Sequence, residues 1–222
     1  MDGRLAHVIV GVTRRSVLAL LCMSVIASGC SHFTNITGVD SEDVVVTGVT
    51  ADIVNGALEQ VGSTTEYDPA YVALAYPMGD VPTRTGVCSD VVVRAFRNAG
   101  LDLQRLIHED MLRNFAAYPQ RWELTKPDPN IDHRRVPNIA TFFARHGGSL
   151  PVTQESSDYV PGDVVTWSID GSPHTGVVSN KRRKGDDRFF IINNRGPGGA
   201  KVEDVLFAWK ITGHYRWNPA AA

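Results

Sequence analysis

The sequence predicts an α+β domain in which helices pack on one face of an antiparallel sheet. Apolar residues recur at helical spacing through residues 52–147. Short apolar runs separated by turn residues fill 163–215. Helices come first and strands follow, the order expected of segregated α and β elements.

The chain has 222 residues, 43% of them apolar and 21% charged, which is an ordinary globular composition. Net charge is −2. The first 29 residues hold Arg4, Arg14 and Arg15 against Asp2, so the remainder is more acidic still. No nucleic-acid role is expected. The basic run Lys181-Arg182-Arg183-Lys184 is followed by Gly185-Asp186-Asp187 and reads as a solvated turn between strands.

Residues 1–29 read as an export signal. Arg14-Arg15 precede an apolar run, Val17 to Ala27, too short for a comfortable membrane span. Ala27-Ser28-Gly29-Cys30 resembles a bacterial lipobox, with Cys30 as the lipidated N-terminus. The residue after Cys30 is Ser31 and not Asp, which favours the outer membrane by analogy. A periplasmic, lipid-anchored monomer is therefore expected, its membrane contact made through the lipid. Residues 30–50, polar and without period, read as a flexible tether, and 51–222 as the folded domain.

From Asp52 the apolar positions Ile53, Val54, Ala57, Leu58 and Val61 predict a helix stopped by Gly62. Residues 67–85 carry Pro69, Pro77, Gly79 and Pro82 and form a long loop, of the kind that is usually functional. It leads into Cys88 at the start of a helix that buries Val92, Ala95, Phe96 and Ala99 and stops at Gly100. Asp102 caps the next helix, whose inner face is Leu103, Leu106, Ile107 and Met111. Residues 122–136 are polar and proline-broken. Pro137 suits the first turn of a short helix with Ile139, Phe142 and Phe143, closed by Gly147-Gly148. Strands are predicted over 163–169, 175–179, 189–193 and 206–215.

With Cys22 in the signal and Cys30 lipidated, Cys88 has no partner for an internal disulfide. At a helix N-terminus its thiolate is favoured by unpaired backbone N–H groups. A core-packing role is the plainer alternative. His174, heading a strand, is the expected general base. The third group, which holds the imidazole in one tautomer, is Asn193 or Asn194 on the neighbouring strand; strand geometry favours Asn193. Tyr67 and Tyr76 precede Cys88 and are candidates to flank a scissile carbonyl. His133, Arg134 and Arg135 are candidates to hold substrate carboxylates, or else members of a structural ion-pair cluster. Asp90 is a candidate for a substrate ammonium, or else a helix-start carboxylate. His108-Glu109-Asp110 are consecutive on a helix and point apart, so no metal site is expected, and no cofactor motif is present.

The order of Cys88 on a helix, Pro161-Gly162-Asp163 opening a strand, then His174-Thr175-Gly176-Val177 resembles the NlpC-type cysteine peptidases and the related CHAP amidases. That resemblance implies a papain-like core and cell-wall peptides as substrate. From about Tyr67 to Trp217 the chain resembles more closely a bacterial envelope family catalogued as domain of unknown function 1287. The resemblance is carried by Tyr76-Pro77-Met78-Gly79-Asp80, Gly86-Val87-Cys88-Ser89-Asp90, His108-Glu109-Asp110-Met111, Asn130-Ile131-Asp132-His133-Arg134-Arg135 and Gly213-His214-Tyr215-Arg216. The expected activity is hydrolysis of an amide bond in peptidoglycan stem peptides. A non-catalytic wall- or partner-binding protein, or an acyltransferase, on the same scaffold are the alternatives.

Overall fold

A computed structural model describes residues 40–217. The export signal, Cys30 and the tether up to residue 39 lie outside the described residues.

The N-terminal half holds four helices: α1 (Gly48–Leu58), α2 (Cys88–Asn98), α3 (Leu103–Asn114) and α4 (Val136–Arg145). Helix α2 begins where the long loop ends and is buried along almost its whole length, from Cys88 to Phe96. The Asp102 side chain caps α3 by accepting from the Arg105 N–H at 3.3 Å. Pro137 lies in the first turn of α4, where its missing N–H costs nothing.

The strands are β1 (Ser41–Asp43), β2 (Glu66–Tyr67), β3 (Thr85–Gly86), β4 (Ser149–Leu150), β5 (Val164–Ile169), β6 (Ser172–Arg183), β7 (Phe189–Asn194), β8 (Ala200–Glu203) and β9 (Lys210–Tyr215). The main sheet runs β4-β9-β5-β6-β7-β8, every pair antiparallel, with β1 added beside the far end of β6. The fold is therefore α+β, as expected. Both sheet faces are buried. Val164, Val177 and Ile192 pack with the helices, while their neighbours Val165, Val178 and Ile191 pack with Tyr159, Trp167 and Leu206 on the other side. This is the period-2 alternation of a strand feeding two cores.

Residues 41–50, expected as tether, belong to the domain instead. Ser41, Glu42 and Asp43 pair with Arg183, Arg182 and Lys181. Arg182 Nε donates to Glu42 at 3.0 Å, and Lys181 Nζ lies 3.5 Å from Asp43. Lys181 to Arg183 are thus the end of a strand, and the expected turn between strands is confined to 184–187. The strand's charges are matched by an acidic strand far away in sequence, the opposite-charge pairing that stabilises facing strands.

The long loop is pinned at both ends. β2 and β3 pair in parallel, setting Tyr67 opposite Gly86. Inside the loop, the Arg94 guanidinium from α2 is bidentate to Asp80 (2.9 and 3.0 Å) and donates to the carbonyls of Val81 and Thr85 (both 3.1 Å).

Gly176 sits where β6 meets β7. A Cβ there would stand 2.7 Å from Ile191 Cγ2, 2.8 Å from the Ile192 carbonyl oxygen and 3.0 Å from Asn193 Cβ. Main chain cannot give way cheaply inside a paired strand. Gly176→Ala is expected to lower stability by about 1–3 kcal/mol, the usual range for overpacking, measured by urea unfolding.

Candidate active site

Cys88 is the first residue of α2 and the sole free cysteine among the described residues. Val87 before it has no side-chain acceptor. Asp90 supplies the helix start instead, accepting from the Val87 N–H at 2.7 Å. The sulfur faces the backbone N–H of Thr175, on β6 immediately after His174, and the Ser89 and Cys88 amides, which favour its charged form. The thiol therefore rests against the peptide link between His174 and Thr175. No hydrogen bond joins Cys88 to the His174 ring.

Cys88 is only 5% exposed. Burial pushes its thiol up to about 11, Asp90 adds to the rise, and the three amide donors oppose it without prevailing. The thiolate expected from the helix N-terminus is thus not the resting form at neutral pH, because desolvation outweighs the donors.

His174 Nε2 lies 3.1 Å from Asn193 Oδ1. The tautomer follows from the next partner along. Asn193 Nδ2 donates to Glu203 Oε2 at 3.1 Å, and a carboxylate can only accept, so the amide oxygen must face His174. Nε2 then carries the proton and Nδ1 keeps its lone pair. Register explains why Asn193 is the partner. Asn193 faces Gly176, and His174 is two residues away on the same side of β6; the missing Cβ of Gly176 leaves room between them. Asn194 points to the other face and donates to the Gly86 carbonyl at 3.0 Å. The imidazole is flanked by Trp167 and Trp209, ring centroids 6.0 and 5.9 Å away. Burial lowers its pKa from the ordinary value, and the Asn193 bond opposes that only in part.

A cavity of about 130 Å³ opens on Cys88, and Tyr67, Trp122, Arg135 and Pro173 are among its walls. A second, of about 320 Å³, adjoins it across Val136, Pro137 and Pro173, which line both. Tyr67 is thus at the site. Tyr76 is not: its ring packs edge-on to His108, centroids 5.4 Å apart.

The charged candidates need correction. Arg134 and Asp90 form a buried fork-to-fork pair at 2.9 and 3.0 Å. Arg134 also donates to the carbonyls of Ala70 and Asp68. Both groups hold the loop to the helix and have no free charge for a substrate. His133 is 2% exposed, and burial together with Arg134 drops its pKa to about 4, so it is neutral and enclosed. His108 bonds Asp132 at 2.8 Å while Asp110 bonds Arg145 and Tyr118, so the three consecutive residues do diverge. His214 is bound to Asp163, which also holds Arg216.

Sequence reasoning named Arg135 with its two neighbours as a cation for substrate carboxylates, but missed Pro173 and Glu203 at the site. Pro173 adjoins His174 in the chain, a usable signal. Glu203 carries none, because it reaches Asn193 through a strand that sequence did not reveal. Trp122 and Glu123 both sit at φ 58, a left-handed backbone that costs non-glycine residues about 1–3 kcal/mol each. The Trp122 ring lies beneath the Arg135 guanidinium, 4.4 Å away.

Buried His133 makes a pH prediction. Its folded pKa of about 4 lies below the ordinary 6.5, so the unfolded chain binds the proton first as pH falls. Its penalty is absent above pH 6.5, grows between about 6.5 and 4, and is constant below; it amounts to about 3 kcal/mol at most. His133→Phe is expected to flatten stability against pH in that window, measured by urea unfolding at pH 7 and pH 4.5.

The family model described as "Domain of unknown function (DUF1287)" matches residues 54–217. The chain is also similar to the uncharacterised protein YijF of Escherichia coli (strain K12), 55% identical over 166 residues that cover 74% of this chain and 80% of that one. With the match running from α1 to the end of β9 and across Cys88, His174 and Asn193, the chain belongs to the DUF1287 family.

Proposed function

We propose that this protein is a cysteine hydrolase that cleaves an amide bond in peptidoglycan stem peptides, on an NlpC-like variant of the papain scheme. The observation that carries the reading is the His174–Asn193 bond, oriented by Glu203, with the Cys88 sulfur against the neighbouring peptide link. A histidine that only packs has no need of a tautomer fixed by two successive partners.

The chemistry follows from both groups being neutral at rest. The thiol proton passes to His174 Nδ1 as sulfur attacks the carbonyl carbon. N–H groups at the start of α2 stabilise the oxyanion. The C–N bond then breaks, and the imidazolium gives its proton to the departing amine. His174 next takes a proton from water, the hydroxide attacks the thioester, and a carboxylate leaves with the thiol restored. Asn193 keeps the ring in register throughout. The sequence Ala27-Ser28-Gly29-Cys30 supports a lipid-anchored, periplasmic setting for that substrate.

A second reading is a wall-binding scaffold without turnover. The buried, protonated thiol and the absence of a Cys88–His174 hydrogen bond favour it.

Incubation with purified sacculi separates the two. Wild type is expected to release muropeptides, detected by mass spectrometry, and Cys88→Ala to release none while keeping its thermal unfolding within about 1–2 kcal/mol of wild type. Equal release by both would end the hydrolase reading. Alkylation by iodoacetamide should be slow at pH 7 and accelerate toward pH 11, because the thiolate appears only there. Turnover should instead rise with pH below 6.5, as His174 loses its proton, and then level off.

A further inference from the structure

The two cavities form one groove. They share Val136, Pro137 and Pro173, so Pro137 and Pro173 make a low ridge between a compartment that holds Cys88 and a roomier one walled by Thr166, Trp167 and Tyr215. The polar character of the lining is one-sided. It contains Arg134 and Arg135 in the first compartment and Arg121 in the second, and no aspartate or glutamate in either. That bias is unexpected in a chain with 24 acidic and 22 basic residues.

Arg134 is neutralised by Asp90. The other two are not: among the described residues neither Arg121 nor Arg135 forms an ion pair, whereas Arg84, Arg94, Arg97, Arg105, Arg145 and Arg182 all do. Arg135 is half-buried and its Nε has no hydrogen-bond partner. A buried guanidinium donor left without an acceptor is costly unless a ligand completes it. The ring of Trp122 holds that guanidinium in place from below, and the left-handed backbone at Trp122 and Glu123 follows directly on Arg121.

We propose that the groove takes a peptide bearing two carboxylates, one on each side of the Pro137–Pro173 ridge, the first paired by Arg135 beside Cys88 and the second by Arg121. The placement of the bond to be cut rests on the hydrolase reading above; the recognition of the anions does not. Planar guanidinium and carboxylate meet through two parallel N–H···O bonds, which suits a substrate with fixed side-group geometry. A peptide with amides at these positions offers no charge to match.

The test uses Cys88→Ala of the full domain and soluble muropeptides, either with free carboxylates or with the same carboxylates converted to amides. Calorimetry should show the free form binding about tenfold or more tightly than the amidated form, the factor expected from a charge-assisted bond. Arg135→Gln and Arg121→Gln, each on the Cys88→Ala background, should each remove about tenfold from the free form and little from the amidated one. Arg121 is exposed, so its variant will fold even if that of Arg135 does not. Equal binding of the two forms, no binding of either, or arginine variants indistinguishable from their parent would overturn the proposal. Selective binding by a protein whose wild type releases nothing from sacculi would retain it and discard the hydrolase reading.

Discussion

The buried pair between Asp90 and Arg134 is the constraint from which the site is built. Asp90 starts helix α2 by taking the Val87 N–H, which sets where Cys88 stands. Arg134 holds the other side of that carboxylate and ties down the backbone of Asp68 and Ala70. Its own carbonyl accepts from Ser89, the residue after the cysteine. One ion pair thus joins the helix start, the loop ahead of it and the segment that brings in Arg135. Charges this deeply buried give little net stability as a pair, yet removing one partner costs about 3–5 kcal/mol because the other is stranded. The value of such a pair lies in defining a single arrangement.

On the sheet side the corresponding device is a chain of acceptors and donors that ends in a carboxylate. Glu203 dictates the orientation of Asn193, Asn193 dictates the tautomer of His174, and Gly176 leaves the space that lets them meet. Arg195 stands 3.6 Å from Glu203 and 5.0 Å above the Trp209 ring, so even the outermost member is held. Each half of the candidate site is positioned by buried polar groups, and the halves meet at the Thr175 amide.

Much of the architecture was legible from local chemistry. Asp102 announced α3, Pro137 announced α4, and the apolar runs at 164–169 and 189–194 announced β5 and β7, because caps and alternation are written within a few residues. Strand parity was enough to prefer Asn193 over Asn194. What escaped was long-range. Ser41-Glu42-Asp43 becomes a strand only because Lys181 to Arg183 lie opposite, and nothing local says so. β8 hid behind the glycine-rich turn at 196–199. Burial escaped too. His133 and Arg134 look like available cations in the chain, and only packing reveals that one is neutral and the other spent. Arg135, next to them, remains unpaired for reasons no pattern of spacing expresses.

The pairing of β1 with the distal part of β6 sets where the described chain begins relative to the site. Strand β6 runs from the His174 end to the Arg183 end, roughly 25–30 Å at about 3.3 Å per residue. The polypeptide enters the fold at the latter and carries its thiol near the former. The first described strand and the cavity that opens on Cys88 therefore stand toward opposite ends of the longest strand in the sheet.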